Sequence, residues 1–366
     1  MSPLRKLCVG VIGCGNISGA YLKHAKFYQH MVIATVADLN EDLAKAKAKE
    51  FNLEEQSVAE LLKNPRIDII LNLTTPQAHV AVNIQALENG KHVYCEKPFG
   101  LKLDETQKVL DLAKAKNLRV GCAPDTFMGA SHQTARQLLD GGWIGPVISG
   151  TAIMMCAGHE SWHPNPSFYY KTGGGPLMDM GPYYITNLVQ MLGPVVEVQA
   201  MSCRSGERTC SSELQRGVKI SVDVDTHLTG NLRFENGALI SLIMSFDAVA
   251  AQHSPIELHG PQGSLLVPDP NGFGGQVMFA QRNVHKFEAV PHTFPYAENM
   301  RSIGVADMAG AIIENREHRA NGELAHHVLD VMLSFQQSAK IGQNVVIQSR
   351  CKRPMPMNRF AVIGEV

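Results

Sequence analysis

Residues 7–123 alternate short apolar runs with helical patterns, and this alternation leaves few folds open to the chain. The apolar runs predict buried strands at 7–12, 31–37, 67–73, 92–95 and 119–123. Helices are predicted between them at 16–27, 41–50, 77–89 and 104–116. Strands that alternate with helices form a parallel sheet covered on both faces. We therefore predict an α/β domain over residues 1–124.

The pattern changes after residue 124. Strand-like runs separated by Gly and Pro occupy 147–155, 195–201, 220–234, 238–246, 256–259 and 264–267. Helices are predicted at 131–140, 182–192, 299–315 and 324–341. Residues 125–366 should therefore form an α+β domain with a large, mostly antiparallel open sheet, and its last helix or tail could pack back on the first domain.

Composition narrows the classes of partner. The 33 Lys and Arg balance the 34 Asp and Glu, giving a net charge of -1, and no basic block suits nucleic acid. No run approaches the roughly 20 apolar residues that span a bilayer, and the N-terminus lacks a signal-peptide pattern. The eight cysteines are scattered without a Cys-x-x-Cys motif, which is typical of reduced thiols. We expect a cytoplasmic protein that contacts neither nucleic acid nor membrane.

A glycine-rich turn follows the first strand. It carries Gly13, Gly15, Asn16 and Ile17 and leads into a helix at Ser18, which is small enough to replace a third glycine. Bare backbone amides and the helix dipole at such a turn can receive a pyrophosphate. Asp38 ends the second strand, where a carboxylate accepts hydrogen bonds from ribose hydroxyls and repels a 2′-phosphate. The pattern predicts a dinucleotide site that favours NAD over NADP.

Two further segments leave strands at the same edge of the predicted parallel sheet. Thr74, Thr75, Pro76 and His79 follow one strand, and Glu96-Lys97-Pro98 follows the next. Open α/β sheets bind ligands at this carboxyl edge. A lysine beside a nicotinamide could donate a hydrogen bond to a substrate hydroxyl or take part in proton transfer. A solvated turn lysine is the alternative interpretation.

A glycine cluster at 173–175 precedes two candidate polar residues, Asp179 and Tyr183. They are four residues apart across the predicted start of a helix and can point the same way. A tyrosine beside a cationic lysine is a credible base for a hydroxyl proton. Tyr183 could equally be an ordinary packed aromatic residue.

Taken together, in this order and spacing, these segments resemble the glucose-fructose oxidoreductase / inositol dehydrogenase / MocA (Gfo/Idh/MocA) family over essentially the whole chain. The resemblance implies a Rossmann domain, a substrate domain whose open sheet often mediates oligomers, and hydride transfer between a nicotinamide and a sugar or cyclitol hydroxyl. It also implies that Lys97 and Asp179 are catalytic and that the peptide before Pro98 can be cis. A homodimer or homotetramer through the C-terminal sheet follows from the same resemblance.

One position departs from the family pattern. Many members carry His where this chain has Tyr183, and the chain is similar to the branches that use Tyr there, glucose-fructose oxidoreductase and dihydrodiol dehydrogenase. The resemblance therefore implies that a phenol accepts the proton, and it weakens an assignment as inositol dehydrogenase.

The segment 158–170 is the best candidate for a substrate loop. Its aromatic rings, Trp162 among them, suit the apolar faces of pyranose rings, and His159 and His163 could bind hydroxyls. A packed lid without polar recognition is the alternative. The two histidines have the spacing of helical metal ligands, but Pro and Asn disfavour a helix and no third ligand is evident, so we predict no metal.

The sequence thus predicts an NAD(H)-dependent oxidoreductase acting on a secondary hydroxyl of a pyranose sugar or glycoside. Thr74, Thr75, Pro76, His79, Glu96 and Lys97 would hold the nicotinamide half of NAD. Substrate would meet Lys97, His159, Trp162, His163, Asp179 and Tyr183. One alternative is a redox glycosidase that oxidises C3 transiently and eliminates the aglycone. Another is an NAD-bound sensor or structural subunit without catalysis.

Overall fold

The structure is a computed structural model, and it describes residues 5–366. The strands are β1 (Leu7–Ile12), β2 (Met31–Ala37), β3 (Glu54–Glu55), β4 (Ile69–Asn72), β5 (His92–Cys95), β6 (Val120–Cys122), β7 (Ser149–Met155), β8 (Val195–Cys203), β9 (Arg208–Thr209), β10 (Lys219–Ile220), β11 (His227–Phe234), β12 (Leu239–Ser245), β13 (Ile256–Gly260), β14 (Gly263–Val267), β15 (Val277–Gln281), β16 (Glu288–Val290) and β17 (Val345–Val346).

The α-helices are α1 (Ser18–Ala25), α2 (Glu41–Phe51), α3 (Val58–Lys63), α4 (His79–Glu88), α5 (Leu103–Ala115), α6 (Ala130–Asp140), α7 (Pro176–Leu192), α8 (Ile303–Glu314) and α9 (Gly322–Ile341). Short 3-10 helices occupy Thr126–Met128 and Pro166–Tyr170. No helix within residues 5–366 combines the length and apolar character needed to cross a bilayer. The chain divides into two compact units.

The first unit, residues 5–133, 293–329 and 354–366, contains a parallel sheet. Within the described range this sheet has six strands in the order β3-β2-β1-β4-β5-β6, and all its pairings are parallel. Its central strands are apolar and buried, as in Val9, Ile70 and Val93, because helices cover both faces. The strand order reverses between β1 and β4, which opens a crevice at the carboxyl edge. The predicted parallel α/β domain is confirmed.

The division of the chain differs from a single cut at residue 124. Residues 293–329 and 354–366, which the sequence places in the second domain, belong to the first unit. Tyr28 Oη donates to the carbonyl of Met300 at 2.6 Å, and the Cys122 amide donates to that of Ala320 at 3.0 Å. Such contacts join segments far apart in sequence, so local periodicity does not reveal them.

The second unit, residues 134–292 and 330–353, is built on a larger sheet. Within the described residues its nine strands follow the order β16-β15-β14-β13-β7-β12-β11-β8-β17. Only β7 and β12 pair in parallel there, so the predicted mostly antiparallel sheet is confirmed. Helix α7 packs against β11 and β12.

Helix α7 begins earlier than predicted. It starts at Pro176 with Gly175 as its N-cap, and Pro182, the predicted start, lies inside it. Proline favours the first helical position, and the chain offers two prolines that fit this rule. The helix begins at the earlier proline, and it lacks one backbone hydrogen bond at Pro182, which has no amide hydrogen. Asp179 and Tyr183 therefore both lie on α7.

Candidate active site

The turn after β1 uses its two glycines for different physical reasons. Gly13 has φ +105°, and a Cβ there would meet the carbonyl carbon and oxygen of Leu73 at 2.6 Å. Gly15 is exposed, and a Cβ on it would meet no atom within 4 Å. The fold therefore needs Gly13, whereas the open space at Gly15 suits a ligand that approaches the backbone closely.

The start of α1 is open to an anion. Asn16 is exposed and Ile17, the N-cap, has no polar side chain to cover the first amides. Ser18 is fully buried, and its Oγ donates to the Gly15 carbonyl at 2.7 Å. The serine thus replaces a third glycine without blocking the turn. Amides at a helix N-terminus bind phosphate groups.

Asp38 lies beside this turn, just past the end of β2. Its Oδ2 accepts the amide hydrogen of Cys14 at 2.7 Å, and its Oδ1 accepts that of Asn40 at 2.8 Å. These two bonds hold the carboxylate in a fixed orientation, half-buried. Its remaining lone pairs suit the hydroxyls of an adenosine ribose, so the residues present fit a dinucleotide.

Thr74, Thr75 and Pro76 form the turn after β4. The amide and hydroxyl of Thr74 donate to Asn72 Oδ1, at 3.2 and 2.7 Å. Thr75 is exposed, and its carbonyl accepts the amide hydrogen of Ala78 at 2.9 Å. Buried Asn72, which the sequence analysis missed, thereby shapes a turn at the carboxyl edge. A polar residue that ends an apolar strand is the signal that could have identified it.

Glu96 and Lys97 leave β5 at the same edge. Glu96 is buried, its Oε1 accepts the Tyr21 hydroxyl at 2.8 Å, and its Oε2 accepts the Lys97 amide at 2.7 Å. Lys97 is half-buried, and the peptide that joins it to Pro98 is cis. Glu96 therefore fixes the backbone of Lys97 through this amide hydrogen bond.

His79 is buried at the start of α4. Its Nδ1 lies 2.7 Å from the carbonyl oxygen of Pro98, and its Nε2 lies 3.0 Å from that of Thr74. The ring therefore joins the two turns that carry Thr75 and Lys97, and both of its nitrogens are occupied in doing so.

In the second unit, Asp179 and Tyr183 lie one helical turn apart on α7. Tyr183 is buried, at 6% exposure, and Asp179 Oδ2 lies 3.2 Å from His159 Nε2. Gly174, in the glycine cluster before α7, is required by packing, because a Cβ there would meet the carbonyl oxygens of Phe168 and Tyr169 at 2.6 Å. Close packing of the loop, not ligand approach, requires that glycine.

The segment 158–170 forms a cluster of rings around His159. Tyr169, Phe246 and Trp162 lie 4.0, 4.7 and 5.3 Å from the His159 ring, between centroids. Trp162 is 61% exposed. An exposed aromatic face beside an imidazole and a carboxylate has the make-up of a sugar site.

His163 continues this cluster, with its ring 5.3 Å from that of Tyr169. Burial is the main cause that lowers its pKa below the usual value, and the Asn165 amide donates to its Nδ1 at 3.0 Å. Within residues 5–366, no group of three or more His, Cys, Asp or Glu is arranged to hold a metal ion.

Glu160, which with His159 and His163 could supply the extra acid–base group of the redox-glycosidase alternative, pairs with a charged residue that the sequence analysis missed, Arg208. The Tyr170 hydroxyl donates to Glu160, and Arg208 Nη1 lies 2.8 Å from Glu160 Oε1. Arg208 also pairs with Asp247. Arg208 is 48 residues from Glu160 and 39 from Asp247, so its partners could not be inferred from spacing.

Comparisons with known proteins identify the family to which both parts of the chain are similar. The family model "Oxidoreductase family, NAD-binding Rossmann fold" matches residues 7–123, and "GFO/IDH/MocA C-terminal domain" matches residues 132–266. The chain is 24% identical to the uncharacterized oxidoreductase YrbE of Bacillus subtilis, covering 94% of this chain and 97% of that one.

Two further comparisons concern one sugar enzyme. The chain is 25% identical to levoglucosan dehydrogenase of Pseudarthrobacter phenanthrenivorans, covering 72% of this chain and 74% of the relative. A solved structure of levoglucosan dehydrogenase with NADH has a TM-score of 0.81 at 23% identity, covering 94% of this chain and 100% of that chain. The family model over residues 7–123 identifies that part of the first unit as an NAD-binding domain.

Proposed function

Because the chain belongs to the Gfo/Idh/MocA family of NAD-binding oxidoreductases, we propose that it transfers hydride between NAD(H) and a secondary hydroxyl of a pyranose sugar or glycoside. The observation that carries the sugar proposal is the ring cluster around His159, which sets an exposed Trp162 near the carboxylate of Asp179. Aromatic faces with a few polar groups are the usual make-up of such pockets.

NAD would be held by the turn after β1 and by Asp38. The pyrophosphate would meet Gly13, Gly15, Asn16 and Ile17, and the ribose would meet Asp38. When bound, the nicotinamide supplies the hydride acceptor or donor. Because Asp38 already carries negative charge beside the turn, a 2′-phosphate would be repelled, and NAD is proposed over NADP.

The nicotinamide half would meet the turns after β4 and β5. Thr74, Thr75 and Pro76 contribute one turn, and Lys97 the other. His79 and Glu96 act by holding these turns, since the ring nitrogens of His79 and the carboxylate oxygens of Glu96 already bind protein groups.

Three side chains are proposed to act on the sugar. Lys97 polarises the oxygen of the reacting hydroxyl, and Tyr183 takes its proton. Asp179 orients the sugar through a neighbouring hydroxyl, while His159, Trp162 and His163 contact the ring. These roles match the residues that the family resemblance implies, with the phenol in place of an imidazole at position 183.

A homodimer or homotetramer through the second unit's sheet is also proposed. Met201, Thr229 and Ile243 are register partners on β8, β11 and β12 and share one face, and Met201 is 74% exposed. Light scattering should give twice or four times the chain mass, and Met201→Glu should reduce it. Val249→Glu, in an exposed loop, is the control.

The function is tested by incubating the protein with NAD and a panel of free sugars and aryl glycosides. NADH absorbance and aglycone release are followed together. NADH formed in proportion to the sugar consumed supports a dehydrogenase. Aglycone released over many turnovers without net NADH would support the redox glycosidase instead, and no turnover despite tight NADH binding would support the non-catalytic alternative.

A further inference from the structure

Position 183 lacks the imidazole that many family members carry there, yet the second unit places an imidazole against the same helix. His159 Nε2 lies 3.2 Å from Asp179 Oδ2, and the two side chains are 12% and 18% exposed. Asp179 is on α7, one turn before Tyr183. The loop thus brings a histidine to the carboxylate that the proposed function uses.

The His159 ring is held in place from several sides. Tyr169 and Phe246 lie against it, with centroids at 4.0 and 4.7 Å. The His159 amide donates to the Tyr170 hydroxyl oxygen at 3.3 Å, and the His159 carbonyl accepts the His163 amide at 3.0 Å. A ring so constrained loses little freedom when a ligand binds, which is the condition for precise proton transfer.

The Asp179 contact decides which nitrogen is basic. A carboxylate accepts hydrogen bonds, so in a neutral His159 the proton sits on Nε2 and the lone pair on Nδ1. Among residues 5–366, Nδ1 of His159 has no hydrogen-bond partner. The arrangement is that of a carboxylate–histidine pair with one free basic nitrogen, as in nucleophilic triads.

A phenol and an imidazole differ as proton acceptors. A phenol accepts a proton only after it has lost its own, whereas a neutral imidazole always offers a lone pair. The proposed oxidation releases one proton per turnover, so the site needs a group that can hold it. His159 meets this need, and Tyr183 does so only if it passes its own proton on.

We propose that His159, oriented by Asp179, is an acid–base residue of the proposed reaction and ends the oxidation step carrying the substrate's proton on Nδ1. The proposal rests on the proposed function. The substrate C–H bond gives its hydrogen and both electrons to the oxidised cofactor, the O–H bond gives its proton, and the carbon–oxygen bond becomes a carbonyl. The imidazolium so formed is balanced by the Asp179 carboxylate. Tyr183 can act as an intermediate carrier that receives one proton as it releases another.

Several other charged or titratable groups surround this pair. His163 and Tyr169 face it from the loop, and Phe246 closes the other side without charge. Glu160 accepts the Tyr170 hydroxyl and pairs with Arg208. Asp179 is therefore the carboxylate in direct contact with the ring, and it sets the tautomer.

The test uses the full chain with a sugar that yields NADH in the panel. His159→Gln and His159→Ala are compared with His253→Gln, an exposed histidine of the same unit. We expect kcat for oxidation near neutral pH to fall about 100-fold in both His159 variants, as for loss of a general base. The pH profile of kcat/KM should differ between the wild type and His159→Gln.

Two readouts separate a catalytic from a structural role. Added imidazole should restore turnover to His159→Ala but not to His159→Gln, which has no cavity for it. In NMR spectra of 15N-labelled histidines, neutral His159 should carry its proton on Nε2, and Asp179→Asn should mix the two tautomers.

Three results would overturn the proposal. The first is a His159→Ala variant that keeps wild-type turnover and pH profile, which would leave Tyr183 as the acceptor. The second is a His159 tautomer unchanged by Asp179→Asn. The third is a wild-type chain that oxidises no sugar. That result would overturn the proposed function as well, whereas the first two results would overturn only the role of His159.

Discussion

His79 Nδ1 lies 2.7 Å from the carbonyl oxygen of Pro98, and the opposite ring nitrogen lies 3.0 Å from the carbonyl oxygen of Thr74. Carbonyls only accept, so both nitrogens must carry hydrogen and the ring is an imidazolium. Burial alone would lower the pKa of His79, but the Cys95 sulfur and the two carbonyls outweigh it and raise the pKa to about 9. A buried cation thereby joins the two turns that carry Thr75 and Lys97.

We predict that the compensating charge lies on Cys95, the last residue of β5. Burial opposes ionisation of this thiol, but hydrogen bonding from Cys122 and the charge of His79 outweigh it and lower its pKa. We expect a thiolate absorbance at neutral pH that disappears in Cys95→Ser and in His79→Gln and persists in His24→Gln. As pH rises through about 9, the pKa of His79, the imidazolium should lose its proton, and its charge pair with Cys95 should then be lost. Identical spectra of wild type and Cys95→Ser would contradict this pairing.

Lys97→Met should abolish turnover while NADH still binds. Methionine keeps much of the lysine stem and removes the ammonium that is proposed to polarise the substrate oxygen, so we expect kcat to fall about 100-fold or more. Steady-state rates and NADH fluorescence titration measure the two effects separately. Lys102→Met, an exposed lysine that pairs with Glu105, is the matched control. Surviving turnover in Lys97→Met would show that the lysine is not catalytic.

Gly15→Ala should weaken NADH binding without destabilising the fold. A Cβ there meets no protein atom, so the melting temperature should stay unchanged. NADH affinity should fall about tenfold or more, since a loss of about 1.4 kcal/mol suffices. Gly13→Ala should instead destabilise the fold, because of its φ of +105° and the Leu73 carbonyl. Gly206→Ala, in open space on the second unit, is the control, and unchanged NADH affinity of Gly15→Ala would refute the proposed pyrophosphate site.

Asp38→Asn should weaken the preference for NAD. The amide oxygen can still accept one of the two backbone hydrogens from Cys14 and Asn40, so the turn should persist. The charge that repels a 2′-phosphate is lost, and we expect the ratio of NADH to NADPH affinity to drop about tenfold. Asp42→Asn, at an exposed position in α2, should leave the ratio unchanged. An unaltered ratio in Asp38→Asn would place the discrimination elsewhere.

His318 should make the protein sensitive to acid. Burial is the main cause that lowers its pKa to about 4, although Asp307 opposes the shift. A depressed folded-state pKa means that stability is complete above about pH 6.5 and is lost as pH falls toward 4, by up to about 3 kcal/mol.

His318→Gln should remove this loss, since its amide can still donate to the Val120 carbonyl, which the ring nitrogen contacts at 3.1 Å. Urea unfolding at several pH values measures the slope, with His253→Gln as control. A slope in His318→Gln equal to that of the wild type would assign the acid sensitivity to other groups.

Much of the secondary structure of the first unit depends on interactions between residues that are close in sequence. The apolar runs of β1 and β4, the glycine turn and the acidic residue after β2 act over a few residues, so their positions could be predicted. Ser57 and Glu60 form a capping box at the start of α3, in which each side chain accepts the backbone amide hydrogen of the other residue. These two residues are also only three positions apart. The start of α7 was missed because both Pro176 and Pro182 satisfy the same local rule.

The sequence by itself determined the fold class and the glycine turn between β1 and α1, because these depend on periodicity and residue type. Only the tertiary structure decided that His159 meets Asp179, that His79 lies between two carbonyls, and that residues 293–329 belong to the first unit. His159 and Asp179 are 20 residues apart, and the two carbonyls at His79 come from residues 5 and 19 positions away, on different turns. The formation of these contacts depends on how whole sheets and helices pack, which no local pattern encodes.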